Sequence, residues 1–215
     1  MSDLCWGTVS TGVRRIIAPL GASSLCPRFY LAEGTALALQ LGHRRSEDLD
    51  LFSADDEVTA STQAEVLAVM SAHDLQVLEH EWGSFFLLAD GVRVGFFSYG
   101  YELLAPTTPV LGVPLASLLD IGLMKLDAIA GRARRRDFYD LYAIARTHCL
   151  RLLFDNAPRK YPRHRDFEAQ VVRHLVYFDQ ADLEPDPELL QLLAWERVKA
   201  FFREQAIELA RGSLR

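Results

Sequence analysis

Residues 31–53 read LAEGTALALQLGHRRSEDLDLFS, and this run leaves little freedom of fold. An apolar strand end meets a glycine, a helix rich in Ala and Leu, a second glycine, and then a strand in which charge and apolarity alternate. Gly34 opens the helix over 35–41, and Gly42 stops it, as glycine just past a helix often does. Over 48–53 the period is two: Asp48 and Asp50 share one face, while Leu49 and Leu51 turn to the core. A strand, a short helix and a strand in this order bury their apolar faces between a sheet and helices.

Around this run, a helix is predicted over 8–20, with Val9, Val13, Ile16, Ile17 and Leu20 on one stripe. A short strand is predicted over 29–32 and a helix over 61–72. Strands follow over 75–80, 84–89 and 92–98, and Asp90-Gly91 is a strong hairpin signal between the last two. Pro106, Pro109 and Pro114 read as a linker. Beyond them the pattern turns helical over 117–130, 137–147, 167–178 and 187–211, the last opening with proline near its first turn. The expectation is an α/β core over 1–105 and a helical lobe over 106–215 packed on it.

Half of the 215 residues are hydrophobic, enough for one sizeable core or a core with a smaller lobe. The net charge of −6 excludes a surface that attracts nucleic acid everywhere, so an anionic partner must meet a local basic patch. Cys5, Cys26 and Cys149 are scattered and form no CxxC, so neither a zinc site nor a disulfide framework is indicated. No signal peptide is read at the N-terminus, and no apolar run reaches the roughly 18 residues of a membrane span. A reduced, cytoplasmic protein without a membrane partner is expected.

The two aspartates carry the chemistry. Their Cα atoms are expected about 6–7 Å apart, two strand rises. Carboxylates so placed can share a divalent cation, and Mg²⁺ typically takes one or two carboxylates plus substrate phosphates. Gly34-Thr35 can offer backbone N–H groups and a hydroxyl to a triphosphate at a helix N-terminus. The plainer reading is an exposed strand end and an ordinary helix start.

These residues resemble the AbiEii-type nucleotidyltransferase toxins, within the DNA polymerase β-like nucleotidyltransferase superfamily. That family's first motif reads approximately LxGGTALAL, followed by HRxSxDLD; here LAEGTALAL is followed by HRRSEDLDLF. Its later helical lysine and KDFxDLY-like segment are similar to DIGLMKLDAIAGRARRRDFYDLYAI, residues 120–144. The resemblance spans about 30–211 and implies a nucleotidyltransferase-like core with a short mixed β-sheet plus a C-terminal α-helical lobe. It implies an NTP substrate, Mg²⁺ or Mn²⁺ on Asp48 and Asp50, and transfer of a nucleotidyl group to a hydroxyl acceptor. Some members modify the 3′ end of tRNA, and others are toxins with a cognate antitoxin, or act in phage defence. Carried over by residue, Asp48, Asp50, Lys125 and Asp137 are the catalytic candidates. Gly34, Thr35, Ser46, Arg44, Glu33 and Asp140 are the nucleotide-binding ones.

Two departures stand out. Glu33 occupies the place of the family's first motif glycine, and its charge beside a phosphate turn calls for a cation, Arg44 or Arg93 among the candidates. Where the family strand often reads like VKVDFLSY, this chain has VRVGFFSY, so Gly95 replaces the superfamily's third carboxylate. Glu33 could supply that carboxylate instead. A degenerate member that binds a nucleotide, RNA or protein without turnover is therefore the alternative, and a plain interaction domain the third reading. Two basic clusters, Arg132/Arg134/Arg135/Arg136 and Arg159/Lys160/Arg163/His164/Arg165, can each meet nucleic-acid phosphates or simply be solvated. Lys125 can equally be a snorkelling side chain, and Asp137 and Asp140 first-turn partners of a helix dipole. Trp195, Phe201 and Phe202 read as core.

Overall fold

The computed structural model describes residues 4–212, so the first and last three residues of the expected domains lie outside it. Two compact units are present, one up to Ser117 and one from Leu118. The first holds a 3-10 turn (Trp6–Thr8), helices α1 (Thr11–Gly21), α2 (Glu33–Leu41) and α3 (Ala60–Val69), and seven strands. The strands are β1 (Tyr30–Leu31), β2 (Leu49–Ser53), β3 (Leu75–Glu81), β4 (Ser84–Ala89), β5 (Val92–Ser98), β6 (Thr108–Val110) and β7 (Val113–Leu115). They form one mixed sheet in the order β3-β4-β5-β2-β1-β7-β6, with β2 parallel to β5 and β1 parallel to β7. The expected α/β class with a mixed sheet is what the chain adopts.

The period-two reading of residues 48–53 holds. Leu49 and Leu51 are buried, whereas Asp48 and Asp50 are half-buried. In the β2–β5 register Asp50 stands beside Gly95, and Phe52 beside Phe97. One face of the sheet thus carries Asp50, Gly95 and an aromatic row. Phe52 and Phe97 stack at 4.8 Å, and Phe86 meets Phe97 edge-on at 5.1 Å. The other face carries Leu49, Leu51, Val94 and Phe96, all buried, with Phe29 against Phe96 at 5.2 Å.

Several expected elements shift. The linker around Pro106–Pro114 is partly a hairpin, β6 and β7, turned by Leu111 and Gly112 with φ of 47° and 92°. Pro109 is tolerated there because β6 is an edge strand and its missing N–H interrupts no ladder. The first helix begins at Thr11 rather than 8, capped by the Ser10 side chain, which accepts from Val13 N at 3.2 Å.

The second unit is helical: α4 (Leu118–Gly131), α5 (Arg135–Ala145), α6 (Leu150–Lys160), α7 (Phe167–His174), α8 (Asp179–Asp182) and α9 (Trp195–Gly212). Helix α6 was not anticipated, since its apolar positions Leu150, Leu153, Phe154 and Ala157 sit among charges and end at Pro158. The helix expected over 187–211 starts only at Trp195. Its leading segment is irregular and tied to α5: Tyr139 Oη lies 2.8 Å from Asp186 Oδ1 and 3.2 Å from the Leu193 carbonyl, and Arg135 Nε is 2.9 Å from Asp186. Burial, then the Asp186 hydrogen bond, push the Tyr139 phenol up to about 12. The helix expected over 167–178 ends at His174, and Phe178 turns inward to pack on Phe138 at 5.2 Å and Trp195 at 5.7 Å. Trp195 and Phe202 are core, as read, and Phe201 is half-buried.

Candidate nucleotidyl-transfer site

The glycine turn and the acidic strand are stitched together. Thr35 is buried at the head of α2. Its hydroxyl bonds the Asp48 carbonyl and lies 2.8 Å from Ser46 Oγ. Ser46 N donates to the Thr8 carbonyl at 2.9 Å, which fixes the approach to β2 from the other side. A Cβ on Gly34 would overlap the Arg44 guanidinium and stand 3.2 Å from Ser46 Oγ, so a side chain there would push Arg44 off the turn. Arg44 is 6% exposed, with Nη1 donating to the Arg45 carbonyl at 2.9 Å. A buried guanidinium therefore lies directly over the glycine turn. Gly34, Thr35, Arg44, Ser46 and Asp48 are thus one constellation, with Asp50 two residues further along the strand. The Thr35 hydroxyl, expected on a triphosphate, is used to hold this constellation in place.

Glu33 opens α2 at φ 59°, a left-handed conformation that costs a non-glycine residue roughly 1–2 kcal/mol. That geometry explains why the resembling motif has glycine there. Glu33→Gly is therefore expected to stabilise the chain by about 0.5–1 kcal/mol, read as a raised denaturant midpoint at unchanged m-value. No gain would mean that contacts of the Glu33 side chain offset the strain.

Gly95 is the position at which the resemblance places a third carboxylate. Gly95 pairs with Asp50, so a carboxylate there would stand beside it. Instead the space is filled: a Cβ on Gly95 would meet the Phe97 ring at 2.8 and 2.9 Å and the Phe86 ring at 3.1 Å. Arg93 lies over the Phe86 ring at 4.4 Å. Among the described residues no group of three or more His, Cys, Asp or Glu could hold a metal ion. The donor set fits, at most, one Mg²⁺ on two carboxylates completed by phosphate oxygens and water. A pocket of about 330 Å³ opens past the end of β2, lined by Arg28, Tyr30, Ser53, Asp55, Asp56 and Glu102 among others. Arg28 is tied to Asp56 at 2.8 Å and also to Glu65. Periodicity gave no sign of this pocket, because most of its lining comes from loops around the ends of β1 and β2.

In the helical unit the later motif closes on itself. Lys125 is 1% exposed, and its ammonium sits 2.9 Å from Asp137 Oδ1 and 3.0 Å from Asp140 Oδ2. Arg132 adds a two-pronged contact to Asp137 at 3.0 and 3.1 Å. Burial alone would push the Asp137 carboxyl up, but the Lys125 charge and the Arg132 hydrogen bond outweigh it and hold it below the ordinary range. Lys125, Asp137 and Asp140 are thus brought together as a buried cluster. Sequence reasoning missed a second buried pair, Lys160 Nζ to Asp120 Oδ1 at 3.0 Å. In sequence Lys160 belongs to a basic run open to either phosphate contact or solvation, and it is the helical phase of α6 that turns it inward.

The family profile described as nucleotidyl transferase AbiEii toxin, type IV TA system, matches residues 87–211. An uncharacterized Aquifex aeolicus (strain VF5) protein, aq_aa25, is 34% identical over 209 residues, covering 91% of this chain and 94% of its own. The crystal structure of JHP933 from Helicobacter pylori superposes with a TM-score of 0.57 at 18% identity, covering 93% of this chain and 89% of the other. That of ANT(2″)-Ia in complex with adenylyl-2″-tobramycin gives 0.52 at 15% identity, covering 72% and 99%. The family match defines a chain of the nucleotidyltransferase class. Within that class it belongs to the AbiEii nucleotidyltransferase toxin family. Among the described residues no helix is long and apolar enough to cross a membrane.

Proposed function

We propose that the chain transfers a nucleotidyl group from an NTP to a hydroxyl acceptor, RNA or tRNA being the acceptor class, and that it acts as a toxin counteracted by a cognate antitoxin. The observation that carries this reading is the stitched constellation, which brings a glycine turn, a buried guanidinium and the Asp48/Asp50 strand into one place. In the reaction the acceptor oxygen bonds to the α-phosphorus, the bond to the leaving pyrophosphate breaks, and the hydroxyl proton must go to a base. Asp48 and Asp50 would hold the divalent ion, which supplies Lewis-acid stabilisation of phosphate charge when bound. The N–H groups at the head of α2 and the Arg44 guanidinium suit the triphosphate. A base positioned on the third strand typically contributes roughly 10²–10⁴-fold, and Gly95 provides none. The filled space at Gly95 thus favours a second reading, a member that binds nucleotide with slow turnover or none.

The test is thermal stability with each NTP and Mg²⁺ or Mn²⁺. Ligand at a hundred times its dissociation constant adds about 2.7 kcal/mol. The wild type is expected to shift upward only with both metal and NTP, and Asp48→Asn to lose the shift. A wild type indifferent to every NTP with either metal overturns both readings. A shift without transfer to RNA leaves the second.

A further inference from the structure

We propose that the corner between α6 and α7 is a docking surface for the phosphate backbone of single-stranded RNA. The structure separates two arginine clusters that the sequence could not tell apart. In the first, three of the four arginines, Arg132, Arg134 and Arg135, are each tied to a carboxylate, Asp137, Glu184 and Asp186, and the fourth, Arg136, is half-buried. In the second, Arg159, Arg163 and Arg165 are exposed, and among the described residues no carboxylate pairs with any of them. Arg159 reaches only the Asn156 side-chain oxygen, at 3.2 Å.

A basic residue at the end of α6 complements the helix dipole, which accounts for Arg159. It does not account for Arg163 and Arg165, which lie beyond the helix. The segment bearing them is pinned from beneath. Lys160 is held by Asp120, Tyr161 packs on Phe167 at 4.6 Å, and backbone bonds run from Tyr161 N to Ala157 O, His164 N to Tyr161 O and Phe167 N to His164 O. The arginines therefore stand on an ordered base, which reduces the ordering cost of binding. Of the nearby acids, Asp155 is taken by Arg151 at 2.9 Å, and Asp166 and Glu168 stand on the α7 side. Arginine suits phosphate because its planar fork donates twice. In a chain of net charge −6, three such groups within seven residues mark a local anion site. Three guanidinium groups on one short corner suit a flexible strand better than a rigid duplex. The choice of RNA over DNA rests on the transfer reading above, since ribose offers the acceptor hydroxyls.

The experiment is the affinity of the full chain for labelled oligouridine across a salt series, without nucleotide. Contacts to about three phosphates give a slope of log K against log salt near −2, at roughly −0.7 per phosphate for single strands. Arg159→Ala/Arg163→Ala/Arg165→Ala is expected to flatten that slope and weaken low-salt binding at least tenfold. The matching triple Lys variant should keep the slope, which guards against misfolding of the Ala variant. Unchanged binding by the Ala variant overturns the proposal, as does competition by polyglutamate as strong as by RNA; oligothymidine is expected to bind with the same salt slope, since phosphate contacts do not read the sugar. The metal-dependent NTP shift is measured on the same variants. Its survival alongside failed RNA binding separates loss of this surface from loss of the transfer reading.

Discussion

Lys125→Ala is expected to destabilise the chain by about 3–5 kcal/mol, the usual cost of removing one partner from a buried ion pair. The reason is where the charges sit. Asp137 and Asp140 are both fully buried, and the Lys125 ammonium lies within 3.0 Å of each. Its loss leaves Arg132, itself partly exposed, to neutralise Asp137, while Asp140 loses its ammonium partner. Such a change is a large part of the 5–15 kcal/mol that holds a typical domain folded, so denaturant unfolding reads it directly. The triple variant Lys125→Met/Asp137→Asn/Asp140→Asn removes the three buried charges and should recover most of the loss, because the charge left behind, on Arg132, is partly exposed to water. If Lys125 serves only a bound nucleotide, the outcome is different: Lys125→Ala keeps its stability and loses the metal-dependent NTP shift alone.

The same cluster sets an acid limb. Asp137 is held below the ordinary carboxyl value of 3.8. Its pairing therefore contributes in full above pH 3.8, and that contribution fades as the pH falls through the lower folded value. Asp137→Asn should flatten the fall in stability below pH 3.8 while lowering the plateau above it.

How much of this was legible in the sequence depends on how local the cause was. The alternation of Asp48 to Leu51 and the Asp90-Gly91 turn are short-range signals, and β2, β4 and β5 lie where they point. Pro109 misled because proline breaks a central strand but not an edge, and edge position is a property of the whole sheet. Segment 187–194 misled because proline at a first turn is only a local cue, outweighed by Arg135 and Tyr139 from a distant helix. At the site, the residue types were readable but their partners were not. No spacing rule reveals that Arg44 covers Gly34, that Lys125 faces two aspartates, or that Phe97 fills the room beside Gly95.

That last contact shapes the test of whether the chain has lost a catalytic group. Restoring the family carboxylate through Gly95→Asp looks simple in sequence, yet the new Cβ would lie 2.8 Å from the Phe97 ring and 3.1 Å from Phe86. Phe97 has little room to give, stacked at 4.8 Å on Phe52 and at 5.1 Å from Phe86. Overpacking of this kind costs about 1–3 kcal/mol. The new charge would also stand beside Asp50 in the parallel register, and like charges so placed repel. Gly95→Asp alone is therefore expected to destabilise the chain without a gain in transfer. Adding Phe97→Ala clears the space. The double variant should be more stable than the sum of its parts by about 0.5–3 kcal/mol, the range for contacting residues. Its stability should also rise with Mg²⁺ more than that of the wild type, because a third carboxylate completes the metal's ligands. If the proton acceptor is what the chain lacks, nucleotide transfer by the double variant should exceed wild type by roughly 10²–10⁴-fold. A Gly95→Asp chain as stable as wild type would show that the rings yield freely. A double variant blind to Mg²⁺ would remove the metal from Asp50, and with it the transfer chemistry assigned to that strand.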